Sequence, residues 1–537
     1  MALSASTRAN QPPPLEGYDL FAENRPLVEA LHREGGGWAE ERCRALGLEV
    51  GGEPLEWGRL ANEHPPKLRT HDRFGERVDT VEFHPAWHGL LELGVEHGLH
   101  ALPWRERRPG AHVARAALSM TLSQVEAGVG CPLSMTHAAV PALRAAPGLS
   151  AEWEPKLTSL VYEPGIRPVG VKAGALCGMA MTERRGGSDV RTNETVAEPL
   201  ADDEWVLHGE KWFCSAPMSD AFLVLAQAPA GLSCFLVPRA LADGARNGFR
   251  LQRLKDKLGN RSNASAEIAL DGAWARNVGD EGRGVQTIVE MVNHTRLDCV
   301  LGSAALMRRA VAEATHHAAH RIAFGRPLVE QPLMENVLAD LCLESEAATA
   351  AAVRLARAYD EDDAPFRRLA TAVLKYWVCK LTPVVVAEAL ECLGGNGYVE
   401  ESALPRLFRE SPLNSLWEGA GNVNCLDVLR AMRRSPETVE AFLDEVALAA
   451  GGEVRLDRVL ATLREELAEP EEAQARSLVE RLAVTLQASL LLRAGDAAVA
   501  DAFCASRLDA RTSRALGTLP AGLDLAAIVE RNRPRLG

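Results

Sequence analysis

The amino-acid sequence predicts a mainly α-helical protein that also contains one small β domain. Apolar residues recur at helical spacing before about residue 175 and again after about residue 282. Between these regions the pattern changes to short apolar runs separated by glycine and proline, which is typical of β strands. A further helical stretch follows Pro436. Together these observations divide the chain into four predicted domains, at residues 1–175, 176–280, 281–436 and 437–537.

The first predicted domain mixes helices with polar loops. Residues 113–120 and 141–145 carry helical periodicity. The proline-containing segments His64-Pro-Pro-Lys67 and Phe83-His-Pro-Ala-Trp87 interrupt it, because proline ends helices and starts turns. We therefore expect a mostly helical domain with loops at these two points.

The second predicted domain is a small antiparallel β domain. Five short apolar runs define its strands, at residues 205–207, 222–226, 234–237, 249–251 and 267–270. Gly209, Gly231, Pro238 and Gly272 separate the runs, as turn residues do between strands.

The third and fourth predicted domains are helical. Long helices are expected over residues 301–319, 332–359 and 370–393, with an acidic loop at residues 360–365. Several long antiparallel helices next to a small β domain indicate helical bundles beside a barrel. Residues 437–537 then form a helical C-terminal extension.

Composition restricts the classes of function. The chain has 47% hydrophobic and 25% charged residues, as ordinary globular proteins do. A net charge of −14 argues against broad attraction to nucleic acid but leaves room for a local basic patch. Eleven cysteines without a CxxC pair indicate a reduced, intracellular protein. The N-terminus lacks a signal-peptide pattern, and no apolar run approaches the length of a membrane span. These features predict a cytoplasmic protein outside membranes.

Three glycine-rich segments carry the candidate chemistry. Ser415-Leu-Trp-Glu-Gly-Ala-Gly-Asn422 places one carboxylate, Glu418, beside Gly419 in a turn. It follows Gly394-Gly-Asn-Gly-Tyr398 and Met181-Thr-Glu-Arg-Arg-Gly-Gly-Ser-Asp189, whose glycines allow the backbone to approach a planar ring or a phosphate closely. No predicted strand leads into GxGxxG, so a Rossmann dinucleotide site is not expected.

This ordered set resembles the acyl-CoA dehydrogenase family of flavoproteins over about residues 110–430. The resemblance implies an N-terminal helical domain, a β barrel and a C-terminal helical bundle. It also implies that FAD lies between the β domain and the later helices, with its adenosine part reaching a neighbouring subunit. The implied reaction is the α,β-dehydrogenation of an acyl-CoA thioester, in which Glu418 is the general base that removes the α proton.

The resemblance also assigns FAD contacts, residue by residue. They are Met181, Thr182, Gly187, Ser188, Phe213, Ser215, Arg321, Phe324, Glu391, Gly394, Gly395, Gly419 and Asn422. Four positions depart from the family pattern. Trp212 precedes the place where the family has its aromatic residue, Glu391 stands where glutamine is common, and Ala420 and Asn422 replace threonine and glutamine.

Each of these motifs also has a purely structural interpretation. The segment after Met181 could be a plain hairpin turn, and residues 211–215 a core strand with one aromatic side chain. Arg321 could be a helix-end cation, and the glycines from Gly394 a helix cap. His316 and His320 lie one helical turn apart, but without a carboxylate partner pattern no metal site is predicted.

The resemblance places the substrate near Thr295, Arg296 and Trp417. Some branches of the family carry the base on an earlier helix, beside an arginine. The matching position in this chain is His294-Thr-Arg296, where Thr295 is not an acid. Glu418 is therefore the only candidate base at either position, and Trp417 is expected to narrow the acyl pocket because it is bulkier than the usual tyrosine.

Several further motifs resemble the AidB branch of the family, which is tied to protection against DNA alkylation. They are Asn10-Gln-Pro12, Gly58-Arg-Leu-Ala-Asn62, Phe83-His-Pro-Ala-Trp-His88, Glu126-Ala-Gly128, Leu254-Lys-Asp-Lys-Leu-Gly-Asn-Arg-Ser-Asn-Ala-Ser265 and Cys425-Leu-Asp-Val-Leu-Arg430. This closer resemblance implies an FAD-bound homotetramer (a dimer of dimers) with low isovaleryl-CoA dehydrogenase activity. It also implies binding of double-stranded DNA through the C-terminal region.

The charge pattern gives the DNA prediction a candidate surface. Residues 507–537 carry six arginines against three acidic residues, although residues 431–506 are acidic overall. Arg507, Arg511 and Arg514 have near-helical spacing and, with Arg430, form the predicted phosphate-binding stripe. The alternative is a solvated helix paired internally with Asp509.

Two other functions remain open from the sequence. One is a DNA-protective binding protein that keeps the flavin fold with little turnover. The other is a flavin-dependent oxidase or monooxygenase that acts on small or alkylating compounds. The sequence leaves the acyl chain length and the electron acceptor undetermined.

Overall fold

The computed structural model describes residues 10–201, 203–361, 363–509 and 516–535. Its contacts divide the chain into two compact units. The helical unit comprises Met1–Glu53, Pro109–Gln124 and Cys299–Gly537, and the barrel unit comprises Pro54–Arg108 and Val125–Asp298. Each unit contains residues from more than one of the four predicted domains. The boundaries of those domains stay a prediction.

The described part of the barrel unit contains nine strands. Their bounds are β1 Lys67–His71, β2 Arg77–Glu82, β3 Cys177–Ala180, β4 Val196–Ala201, β5 Glu204–Ser215, β6 Ala221–Ala228, β7 Gly231–Pro238, β8 Phe249–Leu254 and β9 Ser265–Asn277. The ring of pairings β6–β4–β5–β9–β7 closes because β7 also pairs with β6. Closure makes this sheet a barrel, with β3 and β8 attached at its sides.

The barrel closes around a dense apolar core. Strands β6 and β7 are almost fully buried, because their apolar residues leave no solvent face. Phe222 and Phe249 stack with ring centroids 4.7 Å apart, and Trp205 packs beside Phe235. These contacts fix the barrel strands whose ends carry the predicted flavin residues.

The structure corrects the predicted β domain in two respects. It is not purely antiparallel, since β3 and β4 each pair with β6 in parallel. The hairpin β1–β2 also adds strands to a region that was expected to contain only helices and loops. Both strands of this hairpin are largely exposed and polar, so they lack the apolar runs that marked the other strands.

The barrel unit also contains helices. Their bounds are α3 Pro54–Glu63, α4 Pro85–Glu96, α5 Leu102–Arg105, α7 Gly130–Leu143 and α8 Pro147–Leu157. Of these, α7 packs against β3. The helix α9, Gly284–His320, begins in this unit and continues into the helical unit.

The helical unit holds the remaining helices and one short hairpin. The helices are α1 Arg25–Arg33, α2 Glu40–Val50, α6 Ala111–Ser123, α10 Pro332–Asp360, α11 Ala364–Cys392, α12 Gly395–Tyr398, α13 Ala403–Glu410, α14 Gly421–Arg434, α15 Glu437–Ala447, α16 Val454–Ala468, α17 Ala475–Ala494, α18 Ala497–Arg507 and α19 Leu525–Asn532. Strands β10 Ile322–Ala323 and β11 Arg326–Pro327 form the hairpin. The helix α17 packs against α10, α11 and α14, so the C-terminal extension is part of this unit.

The helix α11 corrects the expectation about apolar runs. This helix of 29 residues is long and apolar enough to cross a membrane by length and composition alone, since an 18-residue window within it has a mean hydropathy of 1.4. However, 72% of that apolar window is buried inside the protein, as in a core helix.

All eleven cysteines are buried and none forms a disulfide, as expected for free thiols.

Candidate active site

Glu418 lies in a tight turn of the helical unit. The turn connects the short 3₁₀ helix Leu413–Ser415 to the start of α14 at Gly421. Glu418 has a φ of 58°, in the left-handed region that non-glycine residues rarely adopt, and Gly419 continues the turn with a φ of 95°. The side chain is half-buried. A carboxylate held in a sparsely populated backbone conformation is typical of a functional site.

Lys375 of α11 fixes this turn from inside the protein. Its ammonium group donates hydrogen bonds to the carbonyl oxygens of Trp417, at 2.7 Å, and Gly419, at 2.9 Å. Lys375 is buried, so its two hydrogen bonds are shielded from solvent. They bind the residues immediately before and after Glu418. The side-chain amide of Asn424 donates a further bond to Gly419 O at 2.6 Å. Three hydrogen bonds to two carbonyl oxygens therefore hold the backbone around Glu418.

Neither Lys375 nor Asn424 was among the residues predicted from sequence. Lys375 did leave a signal, since it is a lone cation inside an apolar stretch of α11. Buried lysines need partners, so such a position indicates a specific contact elsewhere in the chain.

Trp417 is oriented by a short hydrogen-bond chain. Its indole N–H donates to Asn414 Oδ1 at 2.9 Å, and Asn414 Nδ2 donates to Ser303 Oγ at 3.2 Å. Ser303 lies on α9, so this chain connects the predicted substrate residue to a long helix. The indole is held in one orientation, as a residue that limits an acyl pocket requires.

The segment after Met181 forms a tight turn in the barrel unit. Glu183 and Gly186 pair across it, and a Cβ at Gly187 would lie only 2.4 Å from Thr182 Oγ1. Glycine is thus required at Gly187 for the turn to fold back on Thr182. The turn interpretation and the flavin interpretation of this motif are compatible, because the turn exposes Gly187 and Ser188.

A buried ion pair lies directly beneath this turn. Lys211 is 0% exposed and donates to Glu183 Oε1 and to Leu225 O, each at 2.7 Å. Burial alone would raise the pKa of Glu183, but the charge of Lys211 and hydrogen bonds from Glu194 and Thr195 hold this pKa below its usual value. Trp212 N, the next residue along β5, donates to Thr182 O at 2.8 Å. The pair therefore fastens the turn to strand β5.

The predicted flavin residues of β5 lie at a β-bulge. Between Lys211 and Cys214 the register with β9 shifts by one residue, which re-aims the side chains there. Lys255 Nζ lies 3.5 Å from the ring centroid of Trp212 and 4.6 Å from that of Phe213. Phe213 remains 53% exposed, as a residue that packs against a bound ring requires.

Ser215 lies beyond the bulge, opposite Ser265 of β9. Its hydroxyl is 3.4 Å from Ser265 Oγ, which also accepts a hydrogen bond from Lys257 Nζ at 3.2 Å.

Three of the branch-like motifs meet at the buried carboxylate of Glu126. Asn62 Nδ2 donates to Glu126 Oε1 at 3.0 Å, and Ser262 Oγ donates to the same oxygen at 2.7 Å. A Cβ at Gly128 would lie 2.0 Å from Ser262 Oγ, which explains the glycine in that motif. The motifs are distant in sequence but form one cluster that fixes the loop before Ser265.

Arg321 and Phe324 lie on the β10–β11 hairpin of the helical unit. Phe324 occupies the tip with a φ of 52° and is 99% exposed. Arg321 is half-buried and donates one hydrogen bond to Asn10 O.

The second glycine segment lies in the same unit. Glu391, Gly394 and Gly395 are exposed, and Glu391 precedes the end of α11. Asn422 is also exposed, and its Oδ1 accepts a hydrogen bond from Arg476 of α17 at 2.8 Å. The structure thus gives Asn422 a protein partner that the sequence did not indicate.

The alternative base position lies on α9. Thr295 is buried and its hydroxyl donates to Val292 O at 3.1 Å, while Arg296 is half-buried. Thr295 and Arg296 remain predicted substrate residues.

The predicted DNA stripe is not formed by the arginines that the structure describes. The helix α18 ends at Arg507, whose guanidinium is largely buried and bonds to Asp340 and Glu344 of α10. Arg430 is exposed and lies 3.4 Å from Asp427 on its own helix. Asp509 lies 3.8 Å from Arg458, rather than pairing within a continued helix. Arg511 and Arg514 fall outside the described residues.

The residues of the barrel turn suit a flavin. Among the described residues, the hydroxyls of Thr182 and Ser188 and the backbone N–H groups of Gly187 and Ser188 have no hydrogen-bond partner. Exposed donors on a turn without an obstructing Cβ match the polar edge of a flavin or a phosphate. This chain therefore presents a donor set that fits FAD.

Three family models match this chain. The adaptive response protein AidB N-terminal domain matches residues 10–164, the acyl-CoA dehydrogenase middle domain residues 178–273, and the acyl-CoA dehydrogenase C-terminal domain residues 282–433.

Individual relatives agree with these family models. The chain is 46% identical over 509 residues to AidB of Escherichia coli, which covers 94% of both chains. It is 32% identical over 475 residues to acyl-CoA dehydrogenase family member 11 of Caenorhabditis elegans, covering 84% of this chain and 74% of that protein.

Solved structures show the same fold. Caenorhabditis elegans ACDH-11 in complex with C11-CoA has a TM-score of 0.84 at 28% identity and covers 94% of this chain and 92% of its own. A Bacillus anthracis acyl-CoA dehydrogenase complexed with FAD has a TM-score of 0.61 at 20% identity and covers 78% and 77%.

These likenesses confirm the predicted fold class, the predicted enzyme class and FAD as the cofactor of the family. The chain belongs to the AidB branch of the acyl-CoA dehydrogenase family, whose members are FAD-dependent oxidoreductases.

Proposed function

We propose that this protein catalyses the α,β-dehydrogenation of a short or branched acyl-CoA, such as isovaleryl-CoA, at a low rate, with Glu418 as the general base. The observation that carries the proposal is the geometry of the Glu418 turn. Lys375 binds the carbonyls of Trp417 and Gly419, and Glu418 between them has a left-handed φ of 58°. Such a rigid support keeps a base in a fixed position relative to the bond that it attacks.

The residues of the chain divide the reaction between them. Glu418 takes the α proton of the thioester, and the electron pair left behind forms the double bond as a hydride leaves the β carbon. A bound FAD would supply the acceptor for that hydride. Thr182, Ser188 and the N–H groups beside them would hold the flavin edge, and Trp417 would limit the space for the acyl chain. The product is the α,β-unsaturated acyl-CoA.

The first experiment is an anaerobic titration of the flavin-loaded protein with isovaleryl-CoA. We expect the flavin absorption of the wild type to bleach. The Glu418→Gln variant should retain FAD and bind the thioester but fail to bleach, since the amide cannot accept the proton. Glu437→Gln, an exposed carboxylate at the start of α15, serves as the matched control. Bleaching in Glu418→Gln at the wild-type rate would contradict the assigned base.

The same titration defines the acyl chain. The Caenorhabditis elegans relative was solved with C11-CoA, so a long thioester is the natural comparison for isovaleryl-CoA. Faster bleaching by the short, branched substrate supports the proposed class. Faster bleaching by the long substrate would move the assignment to long acyl chains. Oxygen consumption by the reduced flavin in air would favour the oxidase alternative.

We further propose a homotetrameric, cytoplasmic protein with a role in the response to DNA alkylation. Likeness to AidB of Escherichia coli supports this role. Binding of double-stranded DNA stays a prediction, and so does the identity of the electron acceptor. A DNA-protective protein with little turnover is the second candidate, which a flavin that stays oxidised with every thioester would favour.

A further inference from the structure

We propose that residues 10–13, here called the N-terminal strap, position the two exposed loops of the FAD site in the helical unit. These loops are the β10–β11 hairpin, which carries Arg321 and Phe324, and the turn Gly394-Gly-Asn-Gly-Tyr398. The strap includes all of Asn10-Gln-Pro12, a sequence motif for which the catalytic site gives no role. The inference rests on the proposed function, because these loops matter only if they contact FAD.

Asn10 binds the hairpin through its side chain and its backbone oxygen. Its side-chain Nδ2 donates to Ile322 O at 2.8 Å, and its Oδ1 accepts from Ile322 N at 2.6 Å. Its backbone oxygen accepts from Arg321. Asn10 has a φ of 68°, and asparagine is among the few residues that adopt this conformation readily. One residue thus satisfies three polar groups of the hairpin.

Two further contacts extend the strap to its other neighbours. Asn396 Nδ2 donates to Gln11 Oε1 at 3.3 Å, which connects the strap to the glycine turn. His316 Nε2 lies 2.9 Å from Pro13 O at the end of α9. A carbonyl oxygen can only accept, so His316 Nε2 carries a proton and donates to Pro13 O. The strap therefore joins two segments that are distant in sequence: the glycine turn, and the stretch that runs from the end of α9 into the hairpin.

The strap is stiff and well anchored. Pro12, Pro13 and Pro14 follow one another, and proline reduces the entropy that a segment loses when it is held extended. Immediately downstream, Leu15 and Tyr18 are buried. A stiff segment with one buried end can hold loops at the other end in place.

The hairpin needs such support because it cannot stabilise itself. Each of its strands has only two residues, and a two-stranded hairpin is marginally stable in water. Its tip residue, Phe324, is 99% exposed, so the tip gains nothing from packing in this chain. The guanidinium of Arg321 donates one hydrogen bond to the strap, and its other N–H groups have no hydrogen-bond partner among the described residues. The strap thus holds the guanidinium while leaving its fork available for a phosphate.

The test measures FAD binding rather than turnover. The wild-type apoprotein is titrated with FAD, and thermal unfolding is followed with and without the cofactor. We expect Asn10→Ala to raise the FAD Kd about tenfold, because the hairpin loses the two side-chain hydrogen bonds that order it. The variant should also show a smaller FAD-induced rise in unfolding temperature, while its apoprotein unfolds as the wild type does. Gln252→Ala, an exposed amide on β8, is the control.

A double-mutant cycle shows whether the strap acts through Arg321. If it does, adding Asn10→Ala to Arg321→Gln should raise the Kd much less than it does in the wild-type background. An unchanged FAD Kd in Asn10→Ala would overturn the proposal. So would an unfolding temperature that falls equally in the apoprotein and the loaded protein, since that describes a purely structural contact. A wild type that takes up no FAD would instead overturn the proposed function, and the strap proposal with it.

Discussion

Lys375 acts on the candidate base through the backbone rather than through a side-chain contact. Its ammonium group is buried and holds two carbonyls, one on each side of Glu418. A methionine at this position is one atom shorter than lysine, is also unbranched, and removes the donor. Trp417 O then loses its hydrogen bond from Lys375, and Gly419 O keeps only the bond from Asn424. A buried polar group left without its partner costs about 1–3 kcal/mol.

We therefore expect Lys375→Met to lower kcat much more than it raises KM, because the turn that carries Glu418 relaxes. The variant should still bind FAD at the barrel turn. Lys380→Met is the matched control, since Lys380 lies on the same helix and is exposed. Steady-state kinetics with isovaleryl-CoA and thermal unfolding test both parts. A variant with normal kcat would show that the turn holds its shape without the hydrogen bonds from Lys375.

At the scale of single residues, the sequence could reveal Glu418 but not the side chains that hold its turn in place. An acid beside glycine, following two other glycine turns, is a local pattern that is visible along the chain. Lys375 and Asn424 touch the same turn, yet Lys375 precedes it by some forty residues. Likewise, Asn62, Glu126 and Ser262 were visible as separate motifs, but only the fold brings them to one carboxylate.

Among the helices, α16 depends on an unusual N-terminal cap. Glu453 caps it by accepting a hydrogen bond from Arg455 N at 2.9 Å, and the guanidinium of Arg455 binds the same carboxylate. The hydrogen bond from Arg455 lowers the pKa of Glu453 from 4.5 to about 2. Because the folded-state pKa lies below the unfolded value, the stability that this group contributes is complete above pH 4.5. It is lost as the pH falls towards 2.

We expect Glu453→Gln to be less stable than the wild type at pH 7, by about 0.5–2 kcal/mol, as for other lost caps. The difference should shrink as the pH falls below 4.5, because Glu453 then takes up a proton in the unfolded wild type while it stays ionised in the fold, and this uptake favours unfolding. Urea unfolding at pH 7, 5 and 4 measures this gap, with Glu472→Gln as an exposed control. A gap that stays constant with pH would show that the charge of Glu453 does not stabilise the cap.

The strands show which elements a sequence can predict. Strands β6 and β7 were found because burial on both faces demands continuous apolar runs. Strand β4 was missed because Pro199 interrupts it and five of its six residues are exposed. Barrel closure and the two parallel pairings were also invisible, since register depends on partners that are distant in sequence.

At the scale of the whole chain, the first and last described segments are joined within the helical unit. Arg531 of α19 binds Glu346 of α10 at 2.9 Å and also pairs with Glu29 of α1. Arg308, buried on α9, donates to the carbonyls of Asn532 and Glu23. Two of the described arginines near the C-terminus, Arg507 and Arg531, are therefore used in ion pairs inside the protein, where they are unavailable to DNA phosphates.

Arg507 makes the sharpest test of this arrangement. It was expected to contribute to a DNA-binding stripe, but its guanidinium lies between Asp340 and Glu344. Arg507→Gln leaves two buried carboxylates without their cation, which typically costs about 3–5 kcal/mol. We expect a lower unfolding temperature and no change in affinity for duplex DNA at low salt, measured below the unfolding transition.

Fluorescence anisotropy with a labelled duplex provides that affinity. Arg511→Ala combined with Arg514→Ala is the comparison, because these two arginines remain in the predicted stripe. If the double variant weakens a salt-dependent affinity while Arg507→Gln does not, the two roles of the C-terminal arginines are separated: Arg507 stabilises the fold, and its neighbours bind phosphate. If Arg507→Gln keeps its stability but loses DNA binding, the ion pairs with Asp340 and Glu344 do not hold Arg507 in solution.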